Sequence, residues 1–506
     1  MSASTLNNER PTFGVEVEFL IPTIRQSGED PHGHVEGNIP PVLRIPPFND
    51  PGEYARDRVK EVLDECFGTL PSGQFGIFKP PTLLERYKNW DVDNDASLLP
   101  PLSDIFNKYT TWVEVEIASP VQYASPKGFE AINFAISMIT SRFRCHVNPS
   151  CGLHIHVGLG ANRIPLEHMR RMASLSYAVE PLLFTLQHPT REVNMHCMQL
   201  QYYSNLVLQG PERDNEVLHN HSAWVGHPFG CTQVGRERRH GEAPLLVRES
   251  NDDSAHVNAF LETREAGHYE PYTKPGDSRH TTLLPSDIFD EIDSRISTSQ
   301  LPSTSTTTTM PAAEPARQRA IPRLRQKKYN QVALTKMNDT NERWGSSLYN
   351  GRLNLRIAGG PSPSVFAATE RIYSQPSTCN IGNLLTVDGG TRSSISFHHY
   401  RCLHFEPPLL SPRTIEVRLS KSSLDGEWVS TWAKIITGLF RFALYSSPSE
   451  FIDVLENCER ATKVDGAYDI VDLLDDIGLF AEAVIVEKRL MAHKDKWDLK
   501  FVESEA

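Results

Sequence analysis

Positive charge is in short supply: 51 lysines and arginines against 63 acids leave a formal net charge of -12. That balance argues against non-specific binding to nucleic acid or to an anionic membrane, both of which need a basic face. Long apolar runs are missing too, since none reaches the ~18–20 residues of a membrane span. The nearest, residues 429–445, is interrupted by Lys434 and Arg441. Its Trp432, Ile435, Ile436 and Leu439 recur at helical spacing, which predicts an amphipathic core helix. Residues 1–11 lack the apolar centre of a signal peptide. Cysteines are sparse, eight in 506 residues with no CxxC pair, so reduced intracellular thiols are the simpler expectation. The expected location is the cytoplasm, with the nucleus left open.

A hydrophobic content of 39% and a charged content of 23% suit a globular protein with a sizeable loop-rich fraction. The length implies one large elaborated domain or two to three smaller ones. Strands are predicted near 13–20, 90–92, 111–117 and 154–157, and helices near 53–67, from Ser125-Pro126 onward, and over 165–187. From about 209 to 328 the pattern dissolves into a low-complexity, disordered insertion, and its basic end, 316–328, reads as a solvated linker. Pattern returns at 348–357, weakens over 359–408 and is strong from 413 to 445. A final helical region is expected over 470–491.

What the chain does have is alternation. Gly14-Val15-Glu16-Val17-Glu18, Trp112-Val113-Glu114-Val115-Glu116, Gly152-Leu153-His154-Ile155-His156 and Thr414-Ile415-Glu416-Val417-Arg418 each place polar groups on every second residue. On a strand those groups share one face and the hydrophobes between them share the other. Facing carboxylates repel by about 1 to 4 kcal/mol per close pair at effective dielectrics of 80 to 20, and a cation is the usual remedy. The pattern therefore predicts a sheet lined on one side for metal.

Each motif has a bland reading as well. Glu16 and Glu18, or Glu114 and Glu116, could be the solvated side of an edge strand, since GxExE alone is weak. The pair His154 and His156 is more specific, because a turn-forming Asn-Pro-Ser-Cys-Gly leads straight into it; imidazole can ligate metal or donate to phosphate. No third His or Cys stands at zinc-site spacing. Asp91-Val-Asp93-Asn-Asp95 begins like an EF-hand loop but has Ala96 and Leu102 where glycine and glutamate belong, so that reading is rejected. Asp95-Ala-Ser97 can still hold an amine. Glu416 and Arg418 are either a cross-strand salt bridge or a metal ligand beside a phosphate-binding guanidinium.

The order GxExE, DxS, ExxSP, N-x-x-x-G-x-H-x-H, R-x-x-N and IExR resembles the amidoligase family, relatives of glutamine synthetase and glutamate–cysteine ligase in the carboxylate–amine ligase superfamily. Matching positions are Gly14, Glu16, Glu18, Asp95, Ser97, Glu116, Ser119, Pro120, Gly152, His154, His156, Arg191, Asn194, Asn354, Glu416 and Arg418. The resemblance implies an α+β fold, a glutamine-synthetase-like curved and largely antiparallel sheet with helices packed on its outer face. It implies a catalytic domain in two parts, 1–208 and 329–506 with C-terminal helices, around the 209–328 insertion.

By the same resemblance, Glu16, Glu18, Glu116, His154 and Glu416 would ligate magnesium or manganese. His156, Asn354 and Arg418 would contact ATP. Asp95, Ser97, Arg191 and Arg418 would form the catalytic set: Arg418, helped by Arg191, neutralises the transferring phosphoryl group, and Asp95 binds the amine and takes its proton. The implied activity is ATP-dependent amide or peptide bond formation through an acyl phosphate, between a carboxylate and an amine such as amino acids or peptides, with no nucleic-acid or membrane partner. Rival readings are a metal-dependent hydrolase and a non-catalytic descendant of the fold that serves as an interaction protein.

Overall fold

The computed structural model describes residues 11–31, 39–68, 89–100, 109–160, 163–192, 194, 196–208, 317–325, 362–387, 392–400 and 414–502. The patterned stretch at 348–357, with Asn354, lies outside them, as does most of 209–328. The chain begins with the long strand β1 (Thr12–Arg25), followed by β2 (Leu43–Ile45) and α1 (Pro51–Phe67). Next come β3 (Asp91–Asp93), β4 (Thr111–Ala118), β5 (Gln122–Tyr123) and α2 (Pro126–Arg142). Then follow β6 (Gly152–Gly158), α3 (Leu166–Phe184) and the short helices α4 (Leu200–Tyr203) and α5 (Asn205–Leu208). The later part holds α6 (Val365–Tyr373), α7 (Thr378–Leu384), β7 (Ile395–Ser396) and β8 (Ile415–Lys421). Four helices close it: α8 (Gly426–Tyr445), α9 (Pro448–Lys463), α10 (Ile470–Asp476) and α11 (Phe480–His493).

The strands form one sheet in the order β3-β4-β1-β6-β8-β7, every neighbour antiparallel. β2 adds in parallel to the end of β1, and β5 pairs with its beginning. The expected α+β class with an antiparallel sheet is borne out. Val15, Val17, Phe19, Val113, Val115, Ile117, Leu153, Ile155, Ile415, Val417 and Leu419 are buried on the apolar face. Helix α8 lies across β1 and β6 and packs on α2 and α3, while α1 covers β3 and β4.

Local signals start these helices where they are needed. Ser125 caps α2 by accepting from the Gly128 N–H, and Asp425 caps α8 by accepting from Glu427 and Trp428 at 3.0 and 3.3 Å. Helix α8 buries the predicted stripe of Trp432, Ile435, Ile436 and Leu439, each worth ~1.5–3 kcal/mol when fully buried. Its first residue is glycine for a steric reason: a Cβ at Gly426 would stand 2.6 Å from the Asn133 carbonyl oxygen of α2.

Besides the short α4 and α5, three helices escaped the sequence reading. All seven residues of α7 are buried, so it has no polar face to make a period. Helix α6 sits in the same weakly patterned stretch. Helix α9 was legible in hindsight: Ser447 and Glu450 form a reciprocal capping box after which Phe451, Val454, Leu455 and Cys458 face inward. The single region expected over 470–491 is two helices, separated at Gly478, whose φ of +76° suits glycine. Among the described residues, no helix is long and apolar enough to cross a membrane, and the six described cysteines form no disulfide.

The basic run is not a solvated linker where it is described. Arg317 grips Asp475 at 2.9 Å and Glu487 at 2.8 Å, and Arg319 grips Asp469 at 2.7 Å and Asp472 at 2.6 Å. Ile321 and Leu324 are buried, and main-chain bonds at 2.8 Å join Arg323 to Val502 and Arg325 to Lys500. The acids that α10 and α11 leave on one side are thus neutralised by a segment distant in sequence, which charge counting along that segment cannot reveal. Arg317→Ala should cost about 2 kcal/mol in urea unfolding, because it strips the partner from buried Glu487. Arg325→Ala, which loses only an exposed contact with Asp465 at 4.0 Å, should cost about 0.5 kcal/mol or less.

Candidate active site

Register assembles the polar face. Glu18 stands opposite Glu116 across β1 and β4, and Asp93 opposite Glu116 across β3 and β4. On the other flank of β1, Glu16 faces His154 and Gly14 faces His156, and His156 in turn faces Glu416 on β8. Cross-strand partners have Cβ atoms ~4.5–5.5 Å apart, so every alternating motif of the sequence meets its neighbour here.

Two groups of ligand-type atoms result, Glu16–His154–Glu416 and Glu18–Asp95–Glu116, each with its atoms within 4.8 Å of one another. In the first, His154 Nδ1 lies 3.2 Å from Glu16 and 3.6 Å from Glu416. His156 Nε2 joins it, 3.1 Å from Glu16 and 3.7 Å from Glu416. The groups touch through His154, whose Nε2 is 3.5 Å from Glu18. Glu18 also accepts the Gly152 N–H at 2.6 Å. Glycine is required there, since a Cβ would sit 2.5 Å from His154 Nε2.

Asp95 comes from the turn after β3, where its Oδ1 accepts the Ser97 N–H at 2.6 Å. That turn is tied to the 148–151 turn by Leu99 N–H to Ser150 Oγ at 3.0 Å and by Asn148 Nδ2 to the Leu99 carbonyl at 2.7 Å. Arg418 Nη2 lies 2.5 Å from Glu416. Arg191, fully buried, gives its Nη2 to the main-chain carbonyl of Arg418 at 2.7 Å. Asn194 holds the same loop, donating to the Pro149 carbonyl at 3.2 Å. Of the residues singled out in the sequence, Asn354 alone lies outside the described residues; the others converge.

Three neighbours were not foreseen. The His399 ring is 6.3 Å from that of His156, and His196 Nδ1 accepts from Arg392 at 2.6 Å. Burial, then Arg392 and Arg191, push His196 down to about 4. Only the His398-His399 doublet offered a sequence signal, and nothing linked it to a distant strand.

Electrostatics show crowded negative charge. Burial, then Asp95, pushes the Glu18 carboxyl well above the usual range, and burial with Glu16 and Asp95 pushes Glu116 up to about 8. Glu16 is held well below it: burial works upward but is outweighed by His156 and by hydrogen bonds from both imidazoles. For Asp95, burial is outweighed by Ser97, which keeps it ionised. Burial is likewise outweighed at His156, raised to about 9 by Glu16 and Glu416, whereas His154 is lowered by burial and Arg418. The acids outnumber the cations at hand.

Residues 9–223 match the family described as "putative amidoligase enzyme", the family that the motif order resembles. Glu416 and Arg418 lie beyond the matched span. No curated protein and no solved structure matches the chain.

The raised Glu116 predicts an inverted pH response. A folded-state value near 8 against the usual 4.5 means its contribution is complete below about 4.5 and is lost as pH rises to about 8. In urea melts with chelator present, Glu116→Gln, which mimics the neutral acid, should gain on the wild type over that window. The gain is at most about 1.4 kcal/mol per pH unit. Parallel pH curves would mean that Glu116 titrates normally.

Proposed function

We propose that the chain is an ATP-dependent carboxylate–amine ligase acting through an acyl phosphate, on a glutamine-synthetase-like sheet curved around its site. The observation that carries this reading is the pair of adjoining acid-rich groups beside the cationic Arg418. The donors fit hard divalent ions, magnesium or manganese: five carboxylates and one imidazole, with the Glu18 and Glu116 carboxyls pushed upward by burial and neighbouring acids. Glu16, His154 and Glu416 would hold one ion and Glu18 and Glu116 a second, with Asp95 beside it left to meet the amine. When bound, these ions supply the charge neutralisation that lets a triphosphate approach the carboxylates.

The reaction balances simply. A carboxylate oxygen of the acid bonds to the γ-phosphorus of ATP as the bond to ADP breaks. The amine nitrogen then bonds to the acyl carbon, and phosphate leaves. Arg418, its charge secured by Glu416, Glu16 and Glu18 against burial, faces the transferring phosphoryl oxygens. His156, protonated at neutral pH, adds positive charge beside it. Asp95, ionised and oriented by Ser97, holds the amine and accepts its proton. Arg191 contributes by fixing the Arg418 main chain, and Asn354 remains a nucleotide contact on its motif alone. The substrates fall in the class of amino acids or peptides, and the site of action is the cytoplasm. A metal-dependent hydrolase would use the same acids to activate water and would have no need of ATP.

Thermal stability should rise with ATP plus magnesium, by about 2.7 kcal/mol at a hundredfold excess over the dissociation constant. With a pool of carboxylates and amines, phosphate should be released from ATP. The absence of both the shift and phosphate release at millimolar ATP would overturn the reading. Glu416→Gln should weaken manganese binding by about tenfold or more, because an amide oxygen is the poorer ligand for a hard ion. Arg418→Lys keeps the charge but loses the planar fork, so turnover should fall far more than nucleotide affinity. An isolated salt bridge would instead cost about 1 kcal/mol or less and leave turnover alone.

A further inference from the structure

We infer that Glu180, which belongs to no motif, is a positioning residue that fixes Arg418 through Ser394. Glu180 lies on α3, 1% exposed, and among the described residues no lysine, arginine or histidine forms an ion pair with it. A lone buried carboxylate is costly and persists only when well satisfied by hydrogen bonds. Here Oε1 accepts the Leu200 N–H at 2.8 Å, Oε2 accepts the Gln201 N–H at 3.1 Å, and the Ser394 hydroxyl donates to Oε1. One carboxylate thus joins the start of α4 to the residue just before β7.

From Ser394 the path leads directly to the site. Its carbonyl accepts the Arg418 N–H at 2.7 Å, extending the pairing of β7 with β8 by one step. In a continued antiparallel ladder Ser394 would also donate to the Arg418 carbonyl. Instead its N–H turns to the Met198 carbonyl at 2.8 Å, and Arg191 takes the Arg418 carbonyl. The ladder on the opposite side is irregular too: between Leu153 and Ile155 of β6 the partners on β8 jump from Ser420 to Val417. Arg418 therefore sits where regular sheet pairing fails on both flanks. Its backbone is held by Ser394 on one peptide group and Arg191 on the other, and Glu180 holds Ser394. The guanidinium beside Glu416 inherits that precision.

The chemical readout rests on the ligase reading, so the experiment includes one that does not. Glu180→Gln, Ser394→Ala and Arg418→Lys are compared by amide hydrogen exchange and by phosphate release from ATP. Ser394→Ala, which removes only a hydroxyl, stands in should Glu180→Gln fail to fold. Exchange at the Arg418 amide should speed by about tenfold relative to the amides of β4. Turnover should fall by about tenfold with KM for ATP within about twofold. Adding Glu180→Gln to Arg418→Lys should change turnover no further, since both act through one group. Unchanged exchange at Arg418, or losses that add fully to Arg418→Lys, would overturn the inference. If the amide responds but wild-type protein releases no phosphate, the positioning role stands and the ligase reading falls.

Discussion

The structure depends above all on the register of β1 between β4 and β6. Because side chains alternate, this register puts Val15, Val17 and Phe19 under the helices while Glu16 and Glu18 meet His154 and Glu116. A slip by one residue on either side would drive both acids into the apolar layer. The same bonds that build the core therefore assemble the site, and neither can move without the other. The cost is electrostatic, because acids from four strands are brought within reach of one another in a partly dehydrated place.

That cost is distributed unevenly across the face. On the β6–β8 side His156 and Arg418 supply positive charge, and Glu16 is held well below the usual range. On the β3–β4 side the imidazole of His154 is the only basic side chain that pairs directly with Glu18, Asp95 or Glu116 among the described residues, and burial with neighbouring acids pushes Glu18 and Glu116 upward. One half is nearly neutralised by the protein, and the other is left short of charge.

Elsewhere the chain meets the problem of buried acids by other means. Asp469 and Glu487 are balanced by Arg319 and Arg317 from a remote segment, and Glu180 by N–H and hydroxyl donors alone. The difference follows from location. The arginine pairs lie at the periphery, where long side chains keep part of their hydration. Glu180 lies fully buried beside the residue that precedes a two-residue strand next to the site, where its hydrogen bonds to main-chain N–H groups and the Ser394 hydroxyl fix those neighbours.

What the sequence determined by itself is the content of each face. Period-two patterning in β1, β4, β6 and β8, the stripe of α8 and the caps of α2 were legible because they are local consequences of strand and helix geometry. The order of motifs likewise pointed to the family. Tertiary structure alone decided which acids become neighbours, and so divided Glu16, Glu18, Asp95, Glu116 and Glu416 into two groups. It alone turned Arg191 to a main-chain carbonyl, docked the arginines of 317–325 onto α10 and α11, and put Glu180 beside Ser394. These contacts join residues more than a hundred positions apart through strand register and the failure of regular pairing at Arg418. A local pattern records which way a side chain faces, but not which distant group will be waiting there.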